Sequence, residues 1–208
     1  MLNTPDSVTP LFRQARILTV VLLGLLGGCA AQRGHQLPDL SDWEVRQAVL
    51  SEENRFEFNG RIGVSAGKEG FNGKLWWWQR DDDFRATLSG PLGVGTVRID
   101  GQGSRISVTD QDGQLTEMQD AEFELRLKYG WTIPVSSLRY WVLGIPDPAL
   151  AAETEFDEEG LLSRLRQGSW TVDIPDYRVG AGQPMPRRIV AVNDDANVRL
   201  VIDNWTFN

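Results

Sequence analysis

The spacing of apolar positions changes several times along the chain, and each change marks an element. Leu40-Ser41-Asp42-Trp43-Glu44-Val45 reads as a helix start. Ser41 is placed to cap the amide three residues on and Glu44 to bond back, a capping box, with Leu40 and Val45 at the hydrophobic-staple positions. A helix running to near Glu52 follows. From Arg55 the period falls to two: Phe56, Phe58, Ile62 and Val64 face one way, and Arg55, Glu57, Asn59 and Arg61 the other. That is a half-buried strand. The next runs from Phe71 to Gln79 and contains Leu75 and the run Trp76-Trp77-Trp78. Three consecutive tryptophans break the alternation, so both faces of this strand are expected to be at least partly covered, or one face to bind something apolar. Phe84, Ala86 and Leu88 form one face of a third strand, Val97 and Ile99 begin a fourth, Ile106-Ser107-Val108 lies in a fifth, and 114–118 suggests a sixth. Turn residues separate them, as in an antiparallel meander.

Two helices interrupt the strands. One is expected over 119–129, capped by Asp120 and stopped at Gly130. The other runs from Pro134 to Leu143, where Leu138, Trp141, Val142 and Ile145 recur at helical spacing before Gly144 and Pro146. A second meander follows, with strands around 153–158, 161–167, 169–177, 187–192 and 198–207. Trp170, Val172 and Ile174, and later Val198, Leu200 and Ile202, share single faces. The predicted class is mainly β with helices (α+β), built on an antiparallel sheet of ten or eleven strands. That is more than a side-chain-filled barrel of about eight strands needs. The surplus either encloses a cavity, with the three helices as plug or lid, or forms a filled core against them. The aromatic and aliphatic inward positions fit both.

Composition narrows the setting. The 208 residues are 41% hydrophobic and include eight tryptophans, enough for one sizeable core. With no internal repeat or linker, residues 40–208 read as a single domain. The net charge of −8 and the lack of a basic stripe argue against a nucleic-acid partner. Arg13 and Arg16 precede an apolar run over 17–26 that is too short to span a bilayer but suits a signal peptide. Leu26-Gly27-Gly28-Cys29 then resembles the bacterial lipobox, and the chain's one cysteine falls where that motif requires it. The resemblance implies removal of residues 1–28, lipidation of Cys29, and a tether over 29–39. Ala30-Ala31 after the cysteine, with no aspartate, favours the outer membrane by the same resemblance.

Nothing points to catalysis. The one histidine, His35, lies in the tether, and no nucleophile, zinc, phosphate-loop or dinucleotide motif is present. The acidic clusters at 81–83, 110–112 and 157–159 sit where turns are expected and lack a calcium-loop pattern. The expectation is a non-enzyme without metal or cofactor.

Several segments resemble one family. They are Ser89-Gly90-Pro91-Leu92-Gly93, the run from Ile133 to Pro146 (IPVSSLRYWVLGIP), Pro184-Met185-Pro186, and Asp203-Asn204-Trp205. Together with the lipobox they are similar to LolB, the outer-membrane lipoprotein receptors. The resemblance implies a half-open antiparallel barrel with a helical lid over an apolar cavity. It implies a monomer, anchored through Cys29 on the periplasmic leaflet of the outer membrane. Its task would be to take the acyl chains of lipoproteins from the soluble carrier LolA and release them into outer-membrane phospholipid. Cavity candidates are Phe56, Phe58, Ile62, Leu75, Trp77, Phe84, Leu88, Trp141, Val142, Ile145, Trp170, Val172 and Trp205. Pro91, Leu92 and Gly93 would form a membrane-insertion loop with Leu92 at its tip. The alternative is a structural or assembly lipoprotein with a filled core and no lipid cargo.

Overall fold

A computed structural model describes residues 36–91, 95–129 and 134–208. Cys29 and the signal segment lie outside the described residues. Eleven strands form one sheet: β1 (Arg55–Ala66), β2 (Glu69–Arg80), β3 (Asp83–Ser89), β4 (Val97–Gln102), β5 (Arg105–Thr109), β6 (Leu115–Met118), β7 (Ala152–Phe156), β8 (Leu162–Gln167), β9 (Trp170–Gly180), β10 (Gln183–Val192) and β11 (Ala196–Phe207). The helices are α1 (Trp43–Glu52), α2 (Ala121–Tyr129) and α3 (Val135–Leu143).

The two meanders predicted from period-two patterning join edge to edge. The order is β6-β5-β4-β3-β2-β1-β11-β10-β9-β8-β7, with antiparallel neighbours throughout, so the sheet is open, with β6 and β7 at its edges. The seam between the meanders is the long β1–β11 pairing, from Phe56 opposite Phe207 to Ala66 opposite Ala196. A register shift at Asn59/Gly60 bends it. Gly60 is required there, since a β-carbon would stand 2.1 Å from the Val201 carbonyl oxygen, which is main chain and cannot swing away.

One face of the whole sheet feeds one core. Phe56 and Phe58 (β1), Leu75 and Trp77 (β2), Phe84 and Ala86 (β3), Trp170, Val172 and Ile174 (β9) and Val198, Leu200 and Ile202 (β11) are buried in a single cluster. Strands from both meanders meet in it, so the sheet is strongly curved around it. The helix α3 runs into that curve. Residues Trp141 to Asp147 are buried without a break, which a helix lying on a flat sheet with one side to water does not allow. Gly144, at φ +77°, ends α3, and a β-carbon on it would meet Pro186 at 2.9 Å. Residues 36–208 therefore hold a complete core of their own, and they fall within one compact unit.

Two details differ from the sequence expectation. The cap of α1 is Asp42, not Ser41: the Asp42 side chain accepts from the Val45 amide at 3.0 Å, and the helix begins one residue later than the proposed box. Asp is as good a cap as Ser, and this frame turns Arg46 and Leu50 inward. Val45 is consequently exposed and does not staple to the buried Leu40. The tryptophan run also keeps strict alternation. Trp77 is buried beside Leu75 and Gln79, while Trp76 is 37% exposed and Trp78 stacks under Arg80.

The N-terminal segment and α1 dock at one end of the sheet. The Leu37 amide donates to the Ala181 carbonyl and the Leu40 amide to the Gln183 side chain, both at the β9–β10 hairpin. The buried Arg46 donates from Nη2 to the Pro184 carbonyl at 2.7 Å and lies over the Tyr177 ring. Tyr177 in turn donates to the Leu162 carbonyl at 2.8 Å. Burial pushes the Tyr177 phenol well above its ordinary range near 10, against a smaller opposing pull from Arg46. A raised folded pKa means that the neutral phenol stabilises the native state. That contribution is fully present below about pH 10 and is lost as the pH climbs through the folded value. Urea midpoints are expected to fall above about pH 10, and Tyr177→Phe is expected to flatten that fall. An unchanged alkaline slope in the variant would assign it to other groups.

Candidate functional site

Alternation places Trp77 and Gln79 on the inner face of β2 and Phe84 opposite them on β3. From Phe84 an aromatic row crosses the seam. Trp77 stacks on Phe84 at 4.8 Å and on Phe58 at 6.0 Å, Phe58 meets Trp205 at 5.1 Å, and Trp205 stacks on Phe207 at 5.6 Å. Where this row meets α3, a cleft of about 430 Å³ remains. That volume falls within the range of about 300–1,000 Å³ typical of small-ligand sites. Trp77, Gln79 and Phe84 form its sheet wall, and Ser137, Arg139 and Tyr140 of α3 face them. Glu122 of α2 closes one side and accepts from the Ser136 hydroxyl at 3.1 Å. A second groove, of about 550 Å³, lies along β3–β6. Several of its polar side chains pair with one another, Arg85 with Asp100, Gln102 with Asp83 and Arg105 with Gln102.

A buried polar cluster fixes α3 against the sheet. The Gln167 carboxamide oxygen on β8 accepts from Trp141 Nε1 at 2.9 Å and from the Asp147 amide at 3.0 Å. Its nitrogen donates to the carbonyls of Asp147 (2.8 Å) and Leu150 (3.1 Å). The Asp147 carboxylate accepts from the Ser137 hydroxyl at 2.8 Å and from the Ala149 amide at 2.9 Å. The described part of the motif, from Pro134 to Pro146, is thus largely a docking device. Ser137 and Trp141 are its polar contacts, and Gly144 is its left-handed stop. Arg139 reaches the Asp81 carbonyl at 3.4 Å and lies over the Tyr140 ring.

The cavity candidates divide into three groups. Trp77 and Phe84 line the cleft. Phe56, Phe58, Leu75, Trp141, Val142, Ile145, Trp170 and Val172 are packed in the common core. Ile62, Leu88 and Trp205 are partly buried against it. Pro91 is an exposed residue just after β3, and Leu92 and Gly93 lie outside the described residues. Sequence reasoning missed Gln79, Asp147 and Gln167. Gln79 and Gln167 do carry a signal, since each is a polar residue at an inward register position, two after Trp77 and Leu165. Along α2, Phe123 and Leu127 are exposed, at 63% and 77%. Its start is as expected, with Asp120 accepting from the Phe123 amide at 3.0 Å.

Comparison with known proteins gives a consistent result. The family model described as outer membrane lipoprotein LolB matches residues 54–205. The outer-membrane lipoprotein LolB of Nitrosococcus oceani is 34% identical over 193 residues, covering 90% of this chain and 96% of the relative. That of Chromohalobacter salexigens is 32% identical over 190 residues, covering 90% and 88%. Among solved structures, a DUF1329 family protein from Desulfovibrio piger shares the fold, with a TM-score of 0.53 and 7% identity over 81% of this chain and 91% of that one. A LolA superfamily protein from Nitrosomonas europaea has a TM-score of 0.49 at 8% identity, covering 76% and 87%. The motif segments from Ser89 to Trp205, α3 and all of the sheet except the last two residues of β11 fall within the matched residues, and the chain belongs to the outer-membrane lipoprotein LolB family.

Proposed function

We propose that this chain receives lipoproteins from the periplasmic carrier LolA, holds their acyl chains against the aromatic inner face of the sheet, and passes them to outer-membrane phospholipid. The observation that carries this reading is the aromatic row from Phe207 through Trp205, Phe58 and Trp77 to Phe84, which ends at an open cleft beside α3. Each methylene moved out of water is worth about 0.8 kcal/mol, so acyl chains crossing the periplasm unprotected would be prohibitively unfavourable. An apolar face offsets most of that along the route. No bond is made or broken and no nucleotide is needed, because binding that tightens from carrier to receptor to bilayer gives the direction. The helices serve as plug and lid: α3 fills the curve, and α2 covers the cleft through Ser136 and Glu122.

Lipidation of Cys29 holds the protein on the periplasmic leaflet, and the Pro91–Gly93 loop meets the bilayer. A monomer suits this task, and the sheet edges support it. The edge strand β7 carries Glu153 and Glu155 beside Arg166 and Arg164, and β6 has only four residues. Charged and short edges discourage strand-to-strand association.

The test uses the chain from Ala30 onward. A fluorescent fatty acid is expected to bind saturably with enhanced emission, and radiolabelled lipoprotein is expected to move from loaded LolA to this chain without an energy source. A domain that binds no acyl probe and takes no cargo would instead be the anchored structural lipoprotein with a filled core.

A further inference from the structure

The run Trp76-Trp77-Trp78 is divided between the two faces of β2, and only Trp77 reaches the cleft. Strand alternation turns Trp76 and Trp78 to the outer face, in one row with Lys74 and Arg80. Trp76 is 37% exposed, Lys74 and Arg80 are exposed, and the Arg80 guanidinium lies over the Trp78 ring at 5.4 Å. Holding acyl chains on the inner face makes no use of this row.

Three features say what the row fits. Like charges face each other across β1 and β2, since Arg61 is opposite Lys74 and Arg55 is opposite Arg80. Directly opposed like charges destabilise a sheet, yet this chain has an excess of acids, with a net charge of −8. The carboxylates beside the row leave it cationic. Asp203 pairs with Arg61 at 3.2 Å, Glu57 lies opposite Trp78, and Asp83, opposite Arg80 on β3, accepts from Gln102. Among the described residues, Lys74, Arg55 and Arg80 form no ion pair. Tryptophan set among such cations is the chemistry of a membrane–water interface, where the indole sits at head-group level and lysine and arginine meet phosphates. The row also leads to the proposed membrane loop. Lys74 pairs with Ser89, the last residue of β3, at the base of the β3–β4 connection.

We infer that this outer row is a phospholipid-docking face. Lys74, Arg80, Arg55 and Arg61 meet the phosphates of the bilayer, and Trp76 and Trp78 enter its head-group layer. From Lys74 to Arg80 the row runs about 20 Å, enough to touch several head groups at once. The inference rests on the delivery role proposed above. It adds an orientation, with β1 and β2 lying along the membrane and the β3–β4 connection brought to it side-on.

The test is co-sedimentation of the chain beginning at Ala30, which lacks the lipidated cysteine, with two kinds of vesicle. One is phosphatidylethanolamine mixed with phosphatidylglycerol, and the other is phosphatidylcholine alone. The wild-type chain is expected to bind the anionic vesicles about tenfold more tightly and to be released from them as salt is raised. Lys74→Gln is expected to weaken that binding about fivefold, and Trp76→Ser by a similar factor. Lys74→Gln also removes the repulsion from Arg61, so its urea midpoint is expected not to fall, which separates lost docking from lost fold. A wild-type chain that ignores both vesicles or binds both alike at every salt overturns the docking face, as do variants that bind as the wild type does. A Lys74→Gln chain that binds vesicles normally but takes cargo slowly from LolA also overturns it, and makes the row a site for the carrier. Transfer from loaded LolA reads the receptor role separately. A chain that takes cargo but never sediments with vesicles keeps that role and loses this face. One that sediments through Lys74 and Trp76 but takes no cargo does the reverse.

Discussion

A Leu92→Glu chain is expected to accept lipoprotein from its carrier normally and to fail at delivery, leaving cargo bound to the receptor instead of in the outer membrane. In the sequence Leu92 stands among Gly90, Pro91, Gly93 and Gly95, residue types that favour turns. Burying a leucine in hydrocarbon is worth about 2 kcal/mol. A carboxylate at the same depth reverses the sign. Together these reduce productive bilayer contact by a factor on the order of a hundred. Acceptance is spared because the ligand cleft lies elsewhere. Asp82 and Gly103 of the cleft come from the β2–β3 and β4–β5 turns, and the β3–β4 connection that carries Leu92 leaves the sheet at the opposite end of those strands. The measurement is a two-stage assay with labelled lipoprotein: transfer from LolA to the variant, then from the variant to vesicles of outer-membrane phospholipid. Wild-type delivery by Leu92→Glu would remove the loop from the mechanism. Loss of acceptance would show that the loop acts on the cleft rather than on the membrane.

Gln167→Leu is expected to lower the unfolding free energy by about 3–5 kcal/mol, a large effect for a substitution of similar size. Gln167 is 2% exposed, and four hydrogen bonds converge on its amide. The leucine fills the space and leaves Trp141 Nε1 and the Asp147 amide without acceptors in the core. Each orphaned donor is unfavourable by about 1–3 kcal/mol. Trp141→Phe, which removes one donor and keeps the Asp147 bond, is expected to lose roughly half as much. Urea denaturation of the chain from Ala30 onward reads both. If Gln167→Leu unfolds at the wild-type midpoint, water can replace the carboxamide and α3 is not fixed by it. The consequence reaches function, because α3 supplies one wall of the cleft through Ser137, Arg139 and Tyr140.

The strands were legible because their patterning is local. Period-two runs such as Phe56–Phe58 and Trp170–Val172–Ile174 declare which face is buried, and glycine and aspartate turns mark where each ends. The class, the two meanders and the interrupting helices follow from that alone. Where local cues were degenerate, the reading slipped by a residue. Ser41 and Asp42 are both competent caps, and only the burial of Arg46 and Leu50 selects Asp42. The tryptophan run was opaque for a similar reason. Composition at 76–78 gives no alternation, yet the sheet imposes it, turning Trp77 in and leaving Trp76 at the surface.

The candidate site was legible only in its apolar half. Aromatic residues advertise themselves by type and period, and the motif around Leu138 and Trp141 marks α3. The polar half was not visible, since its meaning comes from distance across the fold. Gln79 shares Trp77's face through strand alternation, but its bond to the Asp81 carbonyl depends on the turn at Asp81. Gln167 is 26 residues from Trp141 in sequence and 2.9 Å from it in space.

The sequence by itself determined a mainly β chain with an aromatic inner face and family membership, since each rests on residue type at short spacing. Tertiary structure alone decided that β1 closes onto β11, that α3 lies inside the curve, and that Gln167 meets Trp141 and Asp147 in one buried cluster. These are consequences of long-range pairing, where residues far apart in the chain come within hydrogen-bonding distance and no local pattern records which of them will meet.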